Sequence, residues 1–165
     1  MRTARLLLRQ WRTDDLEALA EIYTQPEYLA HMRAVDRDGT AKQIEQFMHR
    51  WQDDGVCQWA AVDLGTDRLI GRIGLLRHHD WPLAPSPIEV GWVLHRDYWG
   101  QGLATEGGRA AMDCWRDLLL DDAQLISITV PANDRSRAVM KRLGLTYRGT
   151  TLWRGLDVVW YAIER

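Results

Sequence analysis

The sequence is poor in the residues that mark secreted, metal-binding and membrane proteins. Its two cysteines, Cys57 and Cys114, stand far apart and form no C-x-x-C pair. This spacing argues against a disulfide framework and a zinc or redox motif, and predicts two buried, reduced thiols. No apolar run approaches the roughly 20 residues that span a bilayer, and the N-terminus leads into a strand-like run rather than a signal segment. We therefore expect a cytoplasmic protein without membrane association.

The sequence also lacks an excess of charge of either sign. Lys and Arg number 21 and Asp and Glu 23, which gives a net charge of -2. No global basic field is present to attract nucleic acid, so we predict no nucleic-acid partner. A length of 165 residues suits one ordinary domain. We expect a single domain over residues 1–165 with one active site.

Hydrophobic periodicity predicts alternating strands and helices. Two helices follow the first strand; Pro26 closes the first, and a capping box of Thr40 and Gln43 opens the second. Two more helices begin after Gly102 and at Asn133. The predicted strands are 5–11, 57–64, 68–77, 88–94, 125–130, 145–149 and 157–163. The order β-α-α-β-β-β-α-β-α-β-β predicts one mixed-sheet α/β (α+β) domain.

The segment 78–87 is predicted to be a loop, because Pro82, Pro85 and Pro87 do not fit a central strand. His78 and His79, next to an aspartate, are weak metal candidates. No third cluster of ligands is spaced to complete a site around them, so we predict no metal.

A glycine turn joins the strand 88–94 to the helix that begins at Leu103. The free N–H groups at a helix N-terminus bind anions, and Gly100 and Gly102 allow a phosphate to approach the backbone closely. Ala104 and Thr105 keep the first helical turn small enough for a pyrophosphate. The turn therefore predicts a phosphate-bearing cofactor, the alternative being that the glycines only shape a tight turn.

Two common nucleotide motifs do not fit this turn. A Walker P-loop requires a lysine that is absent here, and a Rossmann fingerprint requires a small residue at position 105 and an acid after the next strand. Thr105 and Pro131 occupy those positions. A nucleotide-binding α/β protein of another class is therefore the weaker alternative.

The turn and its flanks resemble the acetyl-CoA motif of the GNAT acetyltransferases. The run YWGQGLATE at 98–106, preceded by EVGWVL at 89–94, is similar to the branch that contains the ribosomal-protein-alanine N-acetyltransferases. Asn133 and Ser136, followed by MKRLGL at 140–145, resemble the second CoA motif of that branch. The order of strands and helices in the sequence also resembles that of the family over essentially the full chain. Trp99 departs from the first position of the general family pattern, whereas Gly102 and Ala104 match it.

The resemblance implies a GNAT-type fold, with a mixed, mostly antiparallel central sheet of about seven strands flanked by four helices. It implies an acyltransferase that moves an acetyl group from acetyl-CoA to a primary amine by direct attack in a ternary complex, without a metal. The acceptor is either a protein or peptide N-terminus or a small-molecule amine, and a homodimer stays open. The alternative is a CoA-binding sensor or partner module without catalysis.

The resemblance also implies a set of donor-binding residues. Backbone N–H groups of 101–105 hold the CoA pyrophosphate, and the exposed edge of 92–94 pairs with the pantetheine amides. The following strand diverges to leave a cleft, and an N–H near Val93 stabilises the oxyanion. Asn133 either contacts pantetheine or simply caps its helix. The predicted cofactor-binding residues are Trp92, Val93, Leu94, Trp99, Gly100, Gln101, Gly102, Leu103, Ala104, Thr105, Asn133 and Ser136.

Glu89 and Ser136 are the predicted catalytic residues. A base must take the proton from an ammonium, and Glu89 is the candidate, either directly or through a water. Its alternative is a strand carboxylate paired with Arg72 or Arg77. Ser136 either reaches the thiol sulfur or is a helix-facing hydroxyl. Met140 stands where many family members have a tyrosine acid, which leaves Ser136, a water or release of the thiolate.

Four side chains are predicted to surround the acceptor cleft. The fold places their loops there, and aromatic walls suit a peptide N-terminus or a hydrophobic amine. These residues are Tyr28, His31, Trp81 and Trp153.

Overall fold

The computed structural model describes residues 1–117 and 124–163, which form a seven-stranded sheet with helices on both faces. The strands are β1 (Leu6–Arg9), β2 (Gln58–Asp63), β3 (Leu69–Arg77), β4 (Ile88–Leu94), β5 (Leu125–Thr129), β6 (Thr146–Trp153) and β7 (Leu156–Ala162). The helices are α1 (Leu16–Tyr23), α2 (Pro26–Leu29), α3 (Arg37–Asp53), α4 (Leu103–Asp117) and α5 (Asp134–Arg142). The spatial order is β1-β2-β3-β4-β5-β7-β6. β4 and β5 run parallel, and the other neighbours are antiparallel.

The predicted mixed sheet and element order are confirmed, with one short helix more than the four predicted. Pro26 does not close the first helix. α1 ends at Tyr23, and Pro26 opens α2, because its fixed φ suits the first helical turn. α3 begins earlier than the capping box predicted, since Asp36 Oδ1 accepts from the Gly39 N–H at 2.7 Å. The Thr40 hydroxyl lies inside the helix and donates to the Asp36 carbonyl at 2.8 Å.

The last hairpin is longer than its sequence pattern indicated. β6 was expected to end at Gly149 but continues to Trp153, with its pairing to β7 shifted between Tyr147 and Gly149. Exposed and half-exposed positions dominate β6, so it shows little of the hydrophobic alternation that marks a strand. Trp153, predicted in or near a loop, therefore lies at the end of a strand.

The sheet separates two apolar clusters. One lies under α4 and α5, with Ile73 and Met112 among its buried residues, and the other lies under α1 and α3 around Phe47. Cys57 is fully buried in the second cluster, and burial raises the pKa of its thiol to about 12. Cys114 is only half-buried, so the prediction of two buried thiols is right for Cys57 alone. Among the described helices, none has the length and apolar character needed to cross a membrane.

β4 and β5 pair only at their beginnings. Their register contains Ile88 opposite Leu125 and Glu89 opposite Ile126, and beyond these two pairs the strands separate. β4 continues to Leu94 while β3 accompanies it on the other side. The predicted divergence of the strands is confirmed, and it leaves one edge of β4 open inside the fold.

Gly71 permits the close approach of β3 to β4 at the end of this open edge. Its φ is +148°, and a Cβ placed there would collide with the Val93 carbonyl. We expect Gly71→Ala to lower the free energy of unfolding by about 3 kcal/mol, through overpacking and backbone strain together. Gly55→Ala is the control, because φ is +68° but no heavy atom lies within 4 Å of the added Cβ.

Gly55→Ala should lower the free energy of unfolding by only about 1 kcal/mol, because alanine is strained in the left-handed backbone conformation. Urea unfolding of both variants measures the two losses. Equal losses would contradict a specific contact between β3 and β4.

Candidate active site

A cavity of about 1500 Å³ opens where β4 and β5 diverge. The N-terminal turn of α4 and the start of α5 line one end, and side chains from α2, α3 and β3 line the other. The predicted catalytic and cofactor-binding residues all lie on its wall, as do Tyr28, His31 and Trp153 of the predicted acceptor set. The cavity thus brings together residues that are widely separated in the chain.

Trp81 is the exception and requires a correction. It is absent from the cavity wall and lies beneath Trp153, with ring centroids 5.4 Å apart in an edge-on arrangement. Trp160 contacts its other side at 5.9 Å. The loop of Trp81 does reach the cleft, but burial of the indole makes it a support for Trp153 rather than part of the wall.

The glycine turn has the geometry of an anion site. Gly100 and Gly102 have φ values of +74° and +80°, and α4 begins immediately after them. The Glu106 N–H donates to the Gly102 carbonyl at 3.0 Å and starts the helical hydrogen-bond series. The N–H groups before it, from Leu103 to Thr105, have no intrahelical acceptor and carry the positive end of the helix dipole.

A group of partly exposed hydrogen bonds from the N-terminal segment holds this turn. Glu106 accepts from the Thr3 hydroxyl at 2.6 Å and from the Arg5 N–H and Nε at 2.8 Å each. Arg5 Nη1 also donates to the Gln101 carbonyl at 2.8 Å. Burial raises the pKa of Glu106, but the hydrogen bonds from Thr3 and Arg5 outweigh it and leave the pKa below its ordinary value. No pattern in the sequence indicated this contact across about a hundred residues.

The open edge of β4 presents backbone groups from alternate residues. The His95 N–H donates to Ile70, next to β3, at 2.8 Å, and the Ile88 N–H donates to Gln124, next to β5, at 3.0 Å. Because the directions alternate along a strand, Trp92 and Leu94 point their N–H groups toward the cavity, and Val93 points its own toward β3. The expected N–H near Val93 is therefore that of Trp92.

Asn133 caps α5, as one of its two predicted roles requires. Its Oδ1 accepts from the Ser136 N–H at 3.1 Å. Ser136 is half-buried on the cavity wall, and Met140, one turn further along, is buried with 1% exposure. Arg135 places its guanidinium 5.4 Å from the ring centre of Trp99, which joins α5 to the glycine turn.

Glu89 pairs with His78, a partner that the sequence reading missed. Glu89 Oε2 and His78 Nε2 are 2.6 Å apart, with side-chain exposures of 15% and 2%. The predicted alternative partners are wrong: Arg77 donates to the Ser86 carbonyl at 3.2 Å, and Arg72 bonds elsewhere. Counting the β3–β4 hairpin could have found the pair, because Glu89 lies opposite Leu76, two residues before His78 on the same face.

Arg72 is a second polar residue of the site, which the sequence analysis considered only as an alternative partner of Glu89. It lies on β3 with 8% exposure and reaches the cavity wall. Its Nε donates to the Tyr23 hydroxyl at 2.9 Å, and its Nη1 donates to Gln58 Oε1. Its partners come from α1 and β2, so only the assembled fold shows this network.

The remaining acceptor-end residues are aromatic and half-buried or buried. Tyr28 stacks on Tyr23 with ring centroids 4.6 Å apart, and burial raises the pKa of Tyr28 to about 12. The Trp153 ring packs edge-on against His78 at 4.7 Å. Within the described ranges, His31 Nδ1 and Trp153 Nε1 are buried without hydrogen-bond partners. This end therefore combines apolar walls with unsatisfied polar atoms.

The described residues contain no group of three or more His, Cys, Asp or Glu side chains arranged to hold a metal ion. His79, one of the weak candidates, hydrogen-bonds Asp54 at 3.1 Å, and His78 bonds Glu89. The polar groups of this region thus bond to one another.

Known proteins match the chain over nearly its full length. The model for the acetyltransferase (GNAT) domain matches residues 5–146. The uncharacterized N-acetyltransferase YnaD of Bacillus subtilis is 24% identical over 148 residues, which are 89% of this chain and 82% of YnaD. The crystal structure of an acetyltransferase from Agrobacterium tumefaciens has a TM-score of 0.83 and 26% identity, covering 100% of this chain and 94% of that chain.

A ribosomal L7/L12 α-N-protein acetyltransferase, solved in complex with coenzyme A, has a TM-score of 0.76. It is 16% identical and covers 97% of this chain and 94% of its own, so this likeness shows the fold alone. The family model, by contrast, spans well over half of the sequence and includes the glycine turn, β4 and α5. The chain belongs to the GNAT acetyltransferase family.

Proposed function

We propose that this acetyltransferase moves the acetyl group of acetyl-CoA to a primary amine, by direct attack within a ternary complex. The observation that carries the proposal is the wall of one cavity. An open strand edge and a helix N-terminus lie at one end, and a carboxylate hydrogen-bonded to a histidine lies at the other. The open strand edge and the helix N-terminus suit a phosphate-bearing thioester, and the carboxylate suits an amine.

The donor half is proposed to bind CoA mainly through the backbone. N–H groups from Gln101 to Thr105 hold the pyrophosphate, and the N–H groups of Trp92 and Leu94 pair with the pantetheine amides as a neighbouring strand would. Exposed arginines at positions 109, 135 and 142 lie on the same stretch of wall and supply positive charge for the phosphates. The coenzyme A complex of the ribosomal-protein acetyltransferase supports this donor.

The chemistry proposed for the acceptor half begins with a proton transfer. An ammonium loses its proton to Glu89, directly or through a water, while His78 holds the carboxylate in place. The neutral amine then attacks the thioester carbonyl carbon, and the Trp92 N–H stabilises the oxyanion. Collapse of the intermediate breaks the C–S bond and releases the CoA thiolate, and the second proton of the attacking nitrogen passes to water, which leaves the neutral amide.

The leaving thiolate requires little help. Met140 has no proton to give, so we propose that Ser136 or a water protonates the thiolate, or that it leaves unprotonated. A thiol pKa near 8.5 makes this demand modest. Positioning of the amine against the thioester supplies much of the rate.

The acceptor is proposed to be a peptide N-terminus or a small-molecule amine, enclosed by Tyr28, His31 and Trp153. A cytoplasmic location and a homodimer stay predictions from the sequence. A CoA-binding module without catalysis is the second candidate, and the buried Met140 at the tyrosine position is the observation that favours it. Binding of CoA without turnover of any amine would select that second candidate.

A charge placed at the anion site tests the donor assignment. We expect CoA and acetyl-CoA, but not ATP or NAD, to raise the melting temperature. At a ligand concentration of a hundred times the Kd, binding should add about 2.7 kcal/mol to the free energy of unfolding. Ala104→Glu should weaken CoA binding about 10- to 100-fold, because its carboxylate faces the pyrophosphate. A glutamate in the first helical turn does not itself destabilise the helix.

Ala104→Gln is the matched control, since it adds the same bulk without the charge. Titration calorimetry of both variants separates charge from size. An equal response to ATP and CoA, or equal CoA affinity in the two variants, would refute the proposed donor site.

Replacing the proposed base tests the mechanism. Glu89→Gln should lower kcat about 10²- to 10⁴-fold with little change in CoA affinity, because the amide accepts no proton. The rise of rate with pH that reports the base should also disappear. Release of CoA thiol, with product mass as confirmation, measures turnover on a panel of peptides and small amines.

Glu17→Gln, on the exposed face of α1, is the control for loss of a carboxylate. It should keep the rate and pH profile of the parent protein. A Glu89→Gln variant that retains a rate within about threefold of the parent would rule out Glu89 as the base.

A further inference from the structure

Arg72 is a buried cation in the cavity wall, and no carboxylate among the described residues forms a hydrogen bond or a close ion pair with it, although Glu89 on the same face attracts its charge from farther away. The Arg72 side chain is 8% exposed, and its hydrogen-bond partners are the Tyr23 hydroxyl and the Gln58 amide. Both partners are neutral at physiological pH, whereas the guanidinium stays charged. A buried charge costs several kcal/mol unless an opposite charge and further hydrogen bonds compensate it. The surrounding protein supplies only part of that compensation.

The surrounding residues fix the direction of the guanidinium. Nε donates to Tyr23, whose hydroxyl in turn donates to Gln43 Oε1, while Nη1 donates to Gln58. The guanidinium carbon lies 6.0 Å from the ring centres of both Tyr23 and Phe47. In the part of the chain that the structure describes, Nη2 has no acceptor. The planar donor group is therefore held on one side, with unused donors left on a residue that lines the cavity.

Arg72 and Glu89 face the same side of the sheet. Arg72 is directly opposite Val93, and Val93, Gly91 and Glu89 alternate onto one face of β4. Gly91 has no side chain, and the Gln58 amide covers it: a Cβ placed at Gly91 would lie 2.8 Å from Gln58 Nε2 and 3.4 Å from Glu89 Oε1. The positive and negative side chains thus stand at the two ends of one stretch of cavity floor.

From this geometry we propose that the acceptor site takes amines that also carry a carboxylate. The guanidinium of Arg72 binds the carboxylate, because its planar fork matches two carboxylate oxygens, while Glu89 faces the amine. The inference rests on the proposed amine acetylation. The carboxylate has two sources, the α-carboxylate of a free amino acid and the acidic side chain of the first residue of a peptide.

Matched acceptor pairs test this inference and separate the two sources. One arm compares free amino acids with their amides, and the other compares peptides that begin with aspartate or asparagine. We expect the acid to exceed its neutral partner in kcat/KM by about 10- to 100-fold in at least one arm. In Arg72→Met the acid-to-neutral ratio of kcat/KM should fall to about one, mainly because kcat/KM for the acid decreases.

The variant also serves as an internal correction. Amidation lowers the pKa of the neighbouring amine, but this effect is the same for the parent protein and Arg72→Met and cancels in the comparison. Methionine of similar length suits a buried site, and retained CoA stabilisation confirms that the variant is folded. Arg37→Gln removes an exposed arginine paired with Glu17 and should leave the preference unchanged.

A binding measurement gives an answer that does not depend on turnover. N-acetyl amino acids and their amides are titrated into the CoA-loaded parent protein and Arg72→Met. Tighter binding of the acid to the parent alone supports the inference, even if no amine is turned over and the proposed catalysis fails. The inference would be overturned if the parent protein showed acid-to-neutral ratios of kcat/KM near one in both turnover arms, or acid-to-neutral affinity ratios near one in the binding measurement. Neither result would contradict amine acetylation itself.

Discussion

The parting of β4 from β5 is the constraint on which the site depends. Backbone N–H and C=O groups inside a fold require partners, and a strand edge that loses its neighbour must find them elsewhere. Two register pairs join the strands before they separate. Part of the freed edge is satisfied internally, since the Leu94 carbonyl accepts from the Trp99 indole at 2.8 Å. The rest faces the cavity, which makes the edge a template for an extended ligand.

Close packing on the other side of β4 keeps this edge in place. α4 lies against β3 through glycine, because a Cβ on Gly107 would be 2.5 Å from Ile73 Cδ1. The tie from Glu106 to Thr3 and Arg5 holds the first turn of α4 to the start of the chain. The helix N-terminus and the open strand edge are therefore parts of one rigid unit. A ligand with a phosphate at one end and amides along its length meets both at once.

The two halves of the site differ in how far the sequence alone could predict them. The donor half is local, because a strand, a glycine turn and a helix follow one another, and hydrophobic periodicity and turn chemistry located all three. The acceptor half is assembled from distant elements. His78 meets Glu89 only through hairpin register, whereas Arg72 meets Gln58 through the pairing of β2 with β3 and Tyr23 through packing of α1 on the sheet. Single-residue patterns carry no record of such contacts.

The same difference explains why the position of Trp81 and the length of β6 were predicted wrongly. Trp81 occupies the right loop, but its burial beneath Trp153 depends on the edge-on packing of indoles from separate segments. β6 extended beyond its prediction because its exposed positions lack an apolar face. For Trp81 the loop was found and the direction of its side chain was not, and for β6 the strand was found and its length was not.

The buried polar residues of the acceptor half bear on function because they oppose stability. Glu89 with His78 is largely withdrawn from solvent, and Arg72, bonded to neutral groups, lies next to Phe47 and Tyr23, where apolar packing would otherwise be expected. Such groups cost desolvation energy that hydrophobic residues of similar volume would not. The proposed amine acetylation would account for the asymmetry, because amine attack requires a base, whereas a thiolate leaves with little assistance. Under that proposal, a hydrogen-bonded Glu89 and a Met140 without a proton to give are compatible in one site.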